Sequence, residues 1–591
     1  MTVLHGAKIF GGGRPPRWWL GGFRRAAGGR QLLLAVGVGA AAGLGAIAFR
    51  WLIGAFTRLL SGFPDYAAAG HAANPHVPWL GRYFVLLAPV VAGLVYGPLV
   101  HRFAREARGH GVPEVMYAVA RRGGRIAPQV AVVKALASAL CIGGGGSVGR
   151  EGPIVQIGSA LGSTAGRLTR ADEARTKVLV ACGAAGGIAA TFNAPLAGVF
   201  FAMELILRDF AAESFGLVVL SSVTASVIGR AALGDTPFLR LPAFHVEHLT
   251  QYLLFALLGL VAGAVGVSFS RILYLVEDAC DFLWRGPEWL RPAVGGLALG
   301  GLLLLLPQMY GVGYPVLENA VNGRYAVGFL VLLLAAKIAA TSLTIGIGGS
   351  GGVFAPSLFM GAMLGAAFGQ SAHALAPGSA GQVGAYGLIG MGAVFAGAAR
   401  APITAVIILF ELTGEYSIIL PLMTAIVLAT LVGRLLSHDT IYTLKLRRRG
   451  VDLGAPDPHG LLRGVRVEAV MEPAPEPLDL HTALTDAADA LADAPRGTLP
   501  VVDGGGYLGV VAAGTVAEVL AAEDAPTVAQ AVRRPAAVTP ATPVAEALGS
   551  LVDAGGEGLP VLDQDGEKVV GWITDQAVLA ALHHRSGPSP R

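Results

Sequence analysis

The chain has 591 residues, 54% of them hydrophobic and 14% charged, with a formal net charge of +4 and a mean hydropathy of +0.61. Soluble domains carry roughly 25% charged residues, so this composition excludes an ordinary soluble enzyme and reads as a polytopic membrane protein. The small net charge argues against a nucleic-acid partner, and the basic residues are better explained by membrane topology.

Residues 1–30 show no cleavable signal pattern. Arg14, Arg17, Arg24, Arg25 and Arg30 precede the first apolar span and place the N-terminus in the cytoplasm; Trp18 and Trp19 suit the interface level. Apolar segments follow at 32–60, 83–100, 130–142, 154–166, 178–190, 195–207, 215–232, 252–275, 292–306, 327–343, 357–368, 385–396, 402–412 and 418–436. A straight span needs about 20 residues, and many of these are shorter. They predict half-helices that end inside the membrane, where irregular backbone must be buried in protein or line a cavity. Lys445 and Arg447–Arg449 follow the last span, so that end is cytoplasmic too and the number of full crossings is even. Cys141, Cys182 and Cys280 have no motif spacing, which argues against a disulfide framework and a metal site.

The most informative stretch is Ile142–Gly162, IGGGGSVGREGPIVQIGSALG. Its glycines can expose backbone N–H groups, Pro153 suits the first turn of a helix, and such a helix start attracts anions. Glu151 therefore puts a negative side chain where a negative ligand would also bind. A carboxylate in so apolar a chain is costly unless its charge is functional. The structural alternative is a Gly-rich loop entering a buried helix. A nucleotide phosphate loop is disfavoured, because the Gly-Lys-Ser/Thr ending is absent.

The stretch recurs. Ile345–Gly365, IGIGGSGGVFAPSLFMGAMLG, matches it at an offset of 203 (356 − 153). Asn193–Leu205, NAPLAGVFFAMEL, matches Arg400–Leu412, RAPITAVIILFEL, at 207 (402 − 195). The membrane region is thus two related halves, 31–240 and 241–450, with a seam near 233–250. Broken helices in corresponding places of two halves point to a midplane substrate site. After a linker at 451–464 the long apolar runs stop. Leu499–Val511 and Leu559–Ile573 form a second repeat, each after an Ala-rich helical stretch, which predicts an α/β tandem.

Four motifs carry a resemblance: GHGVPEV (Gly109–Val115), GREGP (Gly149–Pro153), GGVFAP (Gly351–Pro356) and Tyr442 in IYTLKLRRRG. In this order and spacing they resemble the CLC chloride channel and transporter family over roughly Arg30–Gly450. The tail resembles a pair of CBS domains at 465–522 and 527–583, followed by a short tail at 584–591. The resemblance implies an all-α, inverted-repeat membrane fold with re-entrant helices, a cytoplasmic α/β CBS pair, and a homodimer in the lipid bilayer of the inner (cytoplasmic) membrane. It implies transport of chloride or similar small anions, with protons as a second substrate, rather than an enzyme.

By motif position, Glu151 is the external gating glutamate. Val353 and Phe354 donate backbone N–H groups to the central anion, and the Tyr442 hydroxyl donates from the cytoplasmic side. Gly149, Arg150 and Gly152 form the N–H cradle that Glu151 leaves when it swings. Lys134 is a buried basic residue raising the local potential. A halide offers only charge and size, so several weak donors can strip its water without trapping it. A carboxylate can occupy the same donors, and taking up a proton removes that competition.

Two positions depart from the family pattern. His110 stands where many members carry serine; an imidazole N–H can donate to an anion and its charge changes near neutral pH, whereas the alternative is a ring turned aside with the backbone N–H in use. Leu205 stands where proton-coupled members carry an inner glutamate after Glu204, which reads as a polar anchor mirrored by Glu411. The missing acid moves weight toward a passive, gated channel, although Glu151 and Tyr442 keep exchange ahead. A CBS-regulated cation transporter would need clusters of intramembrane Asp, Glu and Asn, which are few, and a hydrolase would need a motif such as HExxH, which is absent. In CBS pairs the adenine-nucleotide contact pattern is a Ser/Thr followed three residues later by Asp; here Thr574 is followed by Ala577, with Asp575 out of place, and the first module has Ala512 and Thr515 at these positions. The expectation is no cofactor, an adenine nucleotide being the alternative, and a structural role for the tail.

Overall fold

A computed structural model describes residues 22–234, 250–378, 380–414, 416–453, 462, 465–494, 496–522, 527–554 and 558–586. The arginines at 14 and 17, the tryptophans at 18 and 19 and most of the proposed seam lie outside these residues. The chain divides into two compact units, 1–452 and 453–591.

In the first unit the helices are α1 (Gly22–Ser61), α2 (Tyr66–Ala69), α3 (Phe84–Phe103), α4 (Val112–Arg121), α5 (Gln129–Gly143), α6 (Glu151–Leu168), α7 (Glu173–Phe192), α8 (Pro195–Phe201) and α9 (Ala212–Leu233). The second half continues with α10 (Thr250–Leu283), α11 (Arg291–Leu305), α12 (Tyr314–Val321), α13 (Val327–Gly346), α14 (Phe354–Leu375), α15 (Val383–Ala399), α16 (Pro402–Thr413) and α17 (Ile419–Leu436), and α18 (Thr443–Arg448) follows. Among the described residues six helices are long and apolar enough to cross a membrane: those within 29–69 and 78–103, then α9, α10, α13 and α17. Shorter apolar helices, including α5, α11, α15 and α16, lie between them.

The two halves meet about a local two-fold. Gly149 donates to the Gly352 carbonyl at 2.7 Å, and Gly352 donates back to Gly149 at 2.6 Å. These glycines are equivalent in the repeat, and they form an antiparallel bridge. A reciprocal contact between equivalent residues requires two-fold symmetry, so the halves are inverted relative to each other. The second pair of repeat segments says the same. Glu411, near the end of α16, accepts from Leu196 and Ala197 at the start of α8 at 2.9 and 2.7 Å. Glu204, just past α8, accepts from Ile403 and Thr404 at the start of α16 at 3.2 and 2.8 Å, and from the Thr404 hydroxyl at 2.7 Å. Each carboxylate satisfies the orphan N–H groups of the other helix, as antiparallel neighbours must. The symmetry is incomplete: α8 runs on into a π-helical turn, Ala202–Leu207, whereas α16 stays α-helical to Thr413.

The second unit holds a three-stranded sheet, β1 (Leu478–Asp479), β2 (Thr498–Asp503) and β3 (Gly506–Ala512), and a hairpin of β4 (Leu559–Leu562) and β5 (Val569–Ile573). Its two cores do not follow the sequence repeat strictly. Val465 and Val467, which precede the first repeat's strands, pack with Val544, Leu559 and Ile573 of the second. Val528 and Ala531, which precede the second repeat's strands, pack with Leu484, Val501 and Val511 of the first. Backbone bridges Glu472–Trp572 and Val510–Arg533 fix this exchange.

Candidate functional site

The residues that the sequence singled out converge where α6 and α14 begin. Arg150 and Val353, equivalent in the repeat, are the N-cap residues of these helices. Their first-turn N–H groups lack intrahelical partners and face the same region from opposite halves. Glu151 opens α6 and is 1% exposed. Its carboxylate reaches across to the other half: Oε2 accepts from the Ala355 N–H at 3.3 Å, and Oε1 accepts from the Tyr314 hydroxyl at 2.9 Å. A carboxylate thus occupies the helix start of the second half, where an anion would sit. A Cβ on Gly149 would lie 2.1 Å from Glu151 Oε2, so glycine at 149 is a condition of this placement.

The position of Gly149 corrects one expectation. Its N–H is not part of an open cradle, because it is spent on the Gly352 carbonyl. The two-fold contact between the halves uses the group that the motif alone assigns to the anion. Arg150 lies with its guanidinium over the Tyr314 and Phe192 rings, at 5.1 and 5.8 Å. Gly152 packs against the His110 carbonyl, with room for no side chain. Val353 and Phe354 are 2% exposed at the start of α14, and the N–H engaged by Glu151 is that of the next residue, Ala355.

His110 and Tyr442 come together, with ring centroids 6.1 Å apart. Both are buried, at 0% and 1% exposure. The Tyr442 hydroxyl makes no hydrogen bond among the described residues. Lys134 is fully buried and donates to the Ala107 and Gly109 carbonyls at 2.9 and 2.7 Å, which holds the loop before His110. Glu204 and Leu205 lie in the π-helical turn, with Glu204 committed to α16.

Three residues of this region escaped the sequence reading. Tyr314 holds Glu151. Lys337, fully buried, donates to Ser147 Oγ at 2.9 Å and to the Gly311 and Val312 carbonyls at 3.1 Å each. Tyr274 accepts from or donates to His110 Nε2 at 3.2 Å and donates to the Ile441 carbonyl at 2.5 Å. The first two had a signal. Lys337 stands 203 residues after Lys134, and GVGYP at Gly311–Pro315 repeats GHGVP at Gly109–Pro113. Each lysine clamps the loop before its short helix, α4 or α12. Tyr274 lies in a long apolar helix and carried no local signal.

Two cavities approach this centre. One, of about 660 Å³, is lined by Arg50, Arg58, Asp65, Arg150 and Tyr314. The other, of about 570 Å³, is lined by Arg105, Arg108, Glu277, Gly348, Lys445 and Arg449. Glu151 neighbours the first, through Arg150 and Tyr314, and Lys445, three residues after Tyr442, borders the second. Three arginines against Asp65 favour anions in the first; in the second, Asp281 and Glu288 join Glu277 against four basic residues.

Residues 92–434 match the model of the voltage gated chloride channel family. The chain belongs to that family. Residues 467–522 and 528–584 each match the CBS domain. The chain is 37% identical over 381 residues to the H(+)/Cl(-) exchange transporter ClcA of Vibrio parahaemolyticus, covering 63% of this chain and 80% of the relative. Its fold is similar to that of a slow cyanobacterial Cl-/H+ antiporter, with TM-score 0.63 and 27% identity over 71% of this chain and 98% of the other. A eukaryotic CLC transporter is similar over 93% of this chain and 98% of its own, with TM-score 0.60 and 22% identity, a likeness of fold that takes in the tail.

In the CBS pair, the buried Thr515 hydroxyl has no hydrogen-bond partner among the described residues. The Thr574 hydroxyl accepts from the Ala577 N–H at 3.0 Å. Asp575 is paired with Arg496 at 3.0 Å, and that guanidinium holds its carboxyl below the usual carboxylate range.

Proposed function

We propose that this protein exchanges chloride for protons across the bacterial inner membrane, as a homodimer with one pathway in each subunit. The observation that carries the reading is the Glu151 carboxylate seated against Ala355 at the helix start of the opposite half. It does there what a bound halide would do, and only one half has it, since Val353 and Phe354 replace Arg150 and Glu151 in the repeat. The names of the Vibrio relative and the cyanobacterial structure support exchange in the same direction. In this reading Val353, Phe354 and Ala355 from one side and Arg150 and Gly152 from the other supply the N–H donors. Tyr442 donates from the cytoplasmic side and Lys134 raises the potential. Both termini lie in the cytoplasm, with halves at 31–240 and 241–450. The CBS pair stabilises the assembly and binds no nucleotide.

In liposomes with a chloride gradient, the protein is expected to drive protons uphill, and its reversal potential is expected to respond to a pH gradient. A reversal potential equal to the chloride equilibrium potential at every pH would establish the second reading, a passive gated channel. Leu205, 6% exposed in place of the inner acid, is the observation that favours that reading.

Tyr314 supplies a modest test. A hydrogen bond to a charged acceptor contributes about 1.5–3 kcal/mol. Tyr314→Phe is therefore expected to loosen Glu151 from its seat and raise chloride affinity at neutral pH about tenfold, read by calorimetric titration. Unchanged affinity would mean that the Tyr314 contact does not hold the gate.

A further inference from the structure

His110 is fully buried, and its two ring nitrogens have different fates. Nε2 lies 3.2 Å from the Tyr274 hydroxyl oxygen. The one hydroxyl proton of Tyr274 is already given to the Ile441 carbonyl, at 2.5 Å. Tyr274 can then only accept from the ring, so the neutral imidazole carries its proton on Nε2. Nδ1 is left as a bare acceptor, buried and without a hydrogen-bond partner. In that state the ring is a poor neighbour for an anion, because it offers a lone pair rather than a donor. A buried, unpartnered polar atom is rare and calls for an occupant.

The surroundings identify the occupant. Lys134 on α5 anchors the carbonyls of Ala107 and Gly109. Lys445 on α18 comes within 2.6 Å of the Cβ position of Gly109. Arg448 on the same helix lies over the Tyr274 ring at 5.4 Å, and Arg449 follows it. Arg108 and Glu114 belong to the loop and helix of His110 itself, and Glu114 is paired with Arg449 at 2.6 Å. Glu277 on α10 faces Lys445 at 4.0 Å. The uncharged hydroxyls of Tyr274 and Tyr442 complete the ring's surroundings, and the His110 carbonyl abuts Gly152, next to Glu151. Arg108 is paired with Glu288 at 2.8 Å and has Asp281 at 3.9 Å, and Arg448 is paired with Asp278. Lys134 contacts only carbonyls and has no carboxylate partner among the described residues, so a second proton on the imidazole is opposed until a negative ion arrives to offset it. A proton on Nδ1 turns the same ring into a cationic donor that a halide can accept from.

We propose that His110 is a proton site linked to anion binding: as a halide enters beside Tyr442, Nδ1 takes a proton from a hydronium ion, whose O–H bond breaks to leave water, and returns it to water when the halide leaves. No further covalent bond is made or broken, and Nε2–H keeps donating to the Tyr274 oxygen throughout. The proposal rests on the anion-site reading above. It assigns to this chain a proton-binding group on the side where Leu205 replaces the expected acid, and the linkage is reciprocal, as binding couplings must be.

The test uses purified full-length Glu151→Gln protein, so that the gating carboxyl no longer titrates. Chloride is added in weakly buffered detergent solution while proton uptake and heat are recorded between about pH 5 and 8. One proton bound per chloride predicts an affinity that tightens by up to about tenfold per unit fall in pH. Adding His110→Asn is expected to abolish both the uptake and the pH dependence. Adding Tyr274→Phe removes the acceptor on Nε2 and frees the other tautomer, so chloride should bind more tightly at high pH with less proton uptake. Chloride binding without proton uptake, or uptake that persists in the His110→Asn protein, would overturn the proposal. Absence of chloride binding at every pH would instead overturn the anion-site reading, and the proposal with it.

Discussion

Glu151→Ala protein in liposomes is expected to pass chloride while moving no protons. In the structure the Glu151 carboxylate is the acid seated at the start of α14, accepting from Ala355 and Tyr314. Removing it leaves those donors to the anion at every pH and takes away the group that would carry a proton between the site and the cavity lined by Arg150 and Tyr314. The reversal potential should collapse onto the chloride equilibrium potential, a complete loss of coupling rather than a partial one. The sign of the pH effect follows. In the intact protein low pH neutralises the carboxyl, frees the donors and speeds anion flux; Glu151→Ala should lack this component. Any pH dependence that survives should disappear when His110→Asn is added. Proton pumping that persists in Glu151→Ala would remove Glu151 from the mechanism.

Lys134→Met is expected to lower both stability and chloride affinity. The ammonium is fully buried and satisfies the carbonyls of Ala107 and Gly109. Methionine fills much of the space but donates nothing, and an unsatisfied buried acceptor costs about 1–3 kcal/mol. The same substitution removes a positive charge close to His110. A loss of about 1.4 kcal/mol in anion binding is tenfold in affinity, and at least that loss is expected in a calorimetric titration, together with a lower Tm. Lys337→Met makes the informative comparison. Lys337 holds the loop before Tyr314 in the same way, through Gly311, Val312 and Ser147. It should cost similar stability, but its functional effect should pass through Tyr314 and Glu151. A lowered Tm with unchanged chloride affinity in Lys134→Met would leave Lys134 a purely structural clamp.

Much of this arrangement is legible in the amino-acid sequence. Hydropathy and low charge dictate a membrane protein, because residues facing lipid must be apolar whatever the fold. The repeat at Ile142–Gly162 and Ile345–Gly365 dictates two related halves. The glycines and proline of each copy dictate helix starts, since those signals are local. Glu151 stands out because a carboxylate in an apolar chain needs a reason. Glu204 and Glu411 are recognisable as a mirrored pair, but that each caps the other's helix requires both helices in place.

What only the tertiary structure decided concerns partners far apart in the chain. Motif position put the Gly149 N–H in the anion cradle, and the two-fold contact with Gly352 took it away. Motif position named His110, but the state of its ring depends on Tyr274, 164 residues away, and on Tyr274 having spent its proton on Ile441. The CBS repeat read as two consecutive modules, yet Val467 packs with the second core and Val528 with the first. The physical reason is common to all three. A sequence motif reports which donors and acceptors a segment carries and how its backbone turns. Each group has only so many hydrogen bonds to give, and which neighbour claims them is settled when distant segments pack.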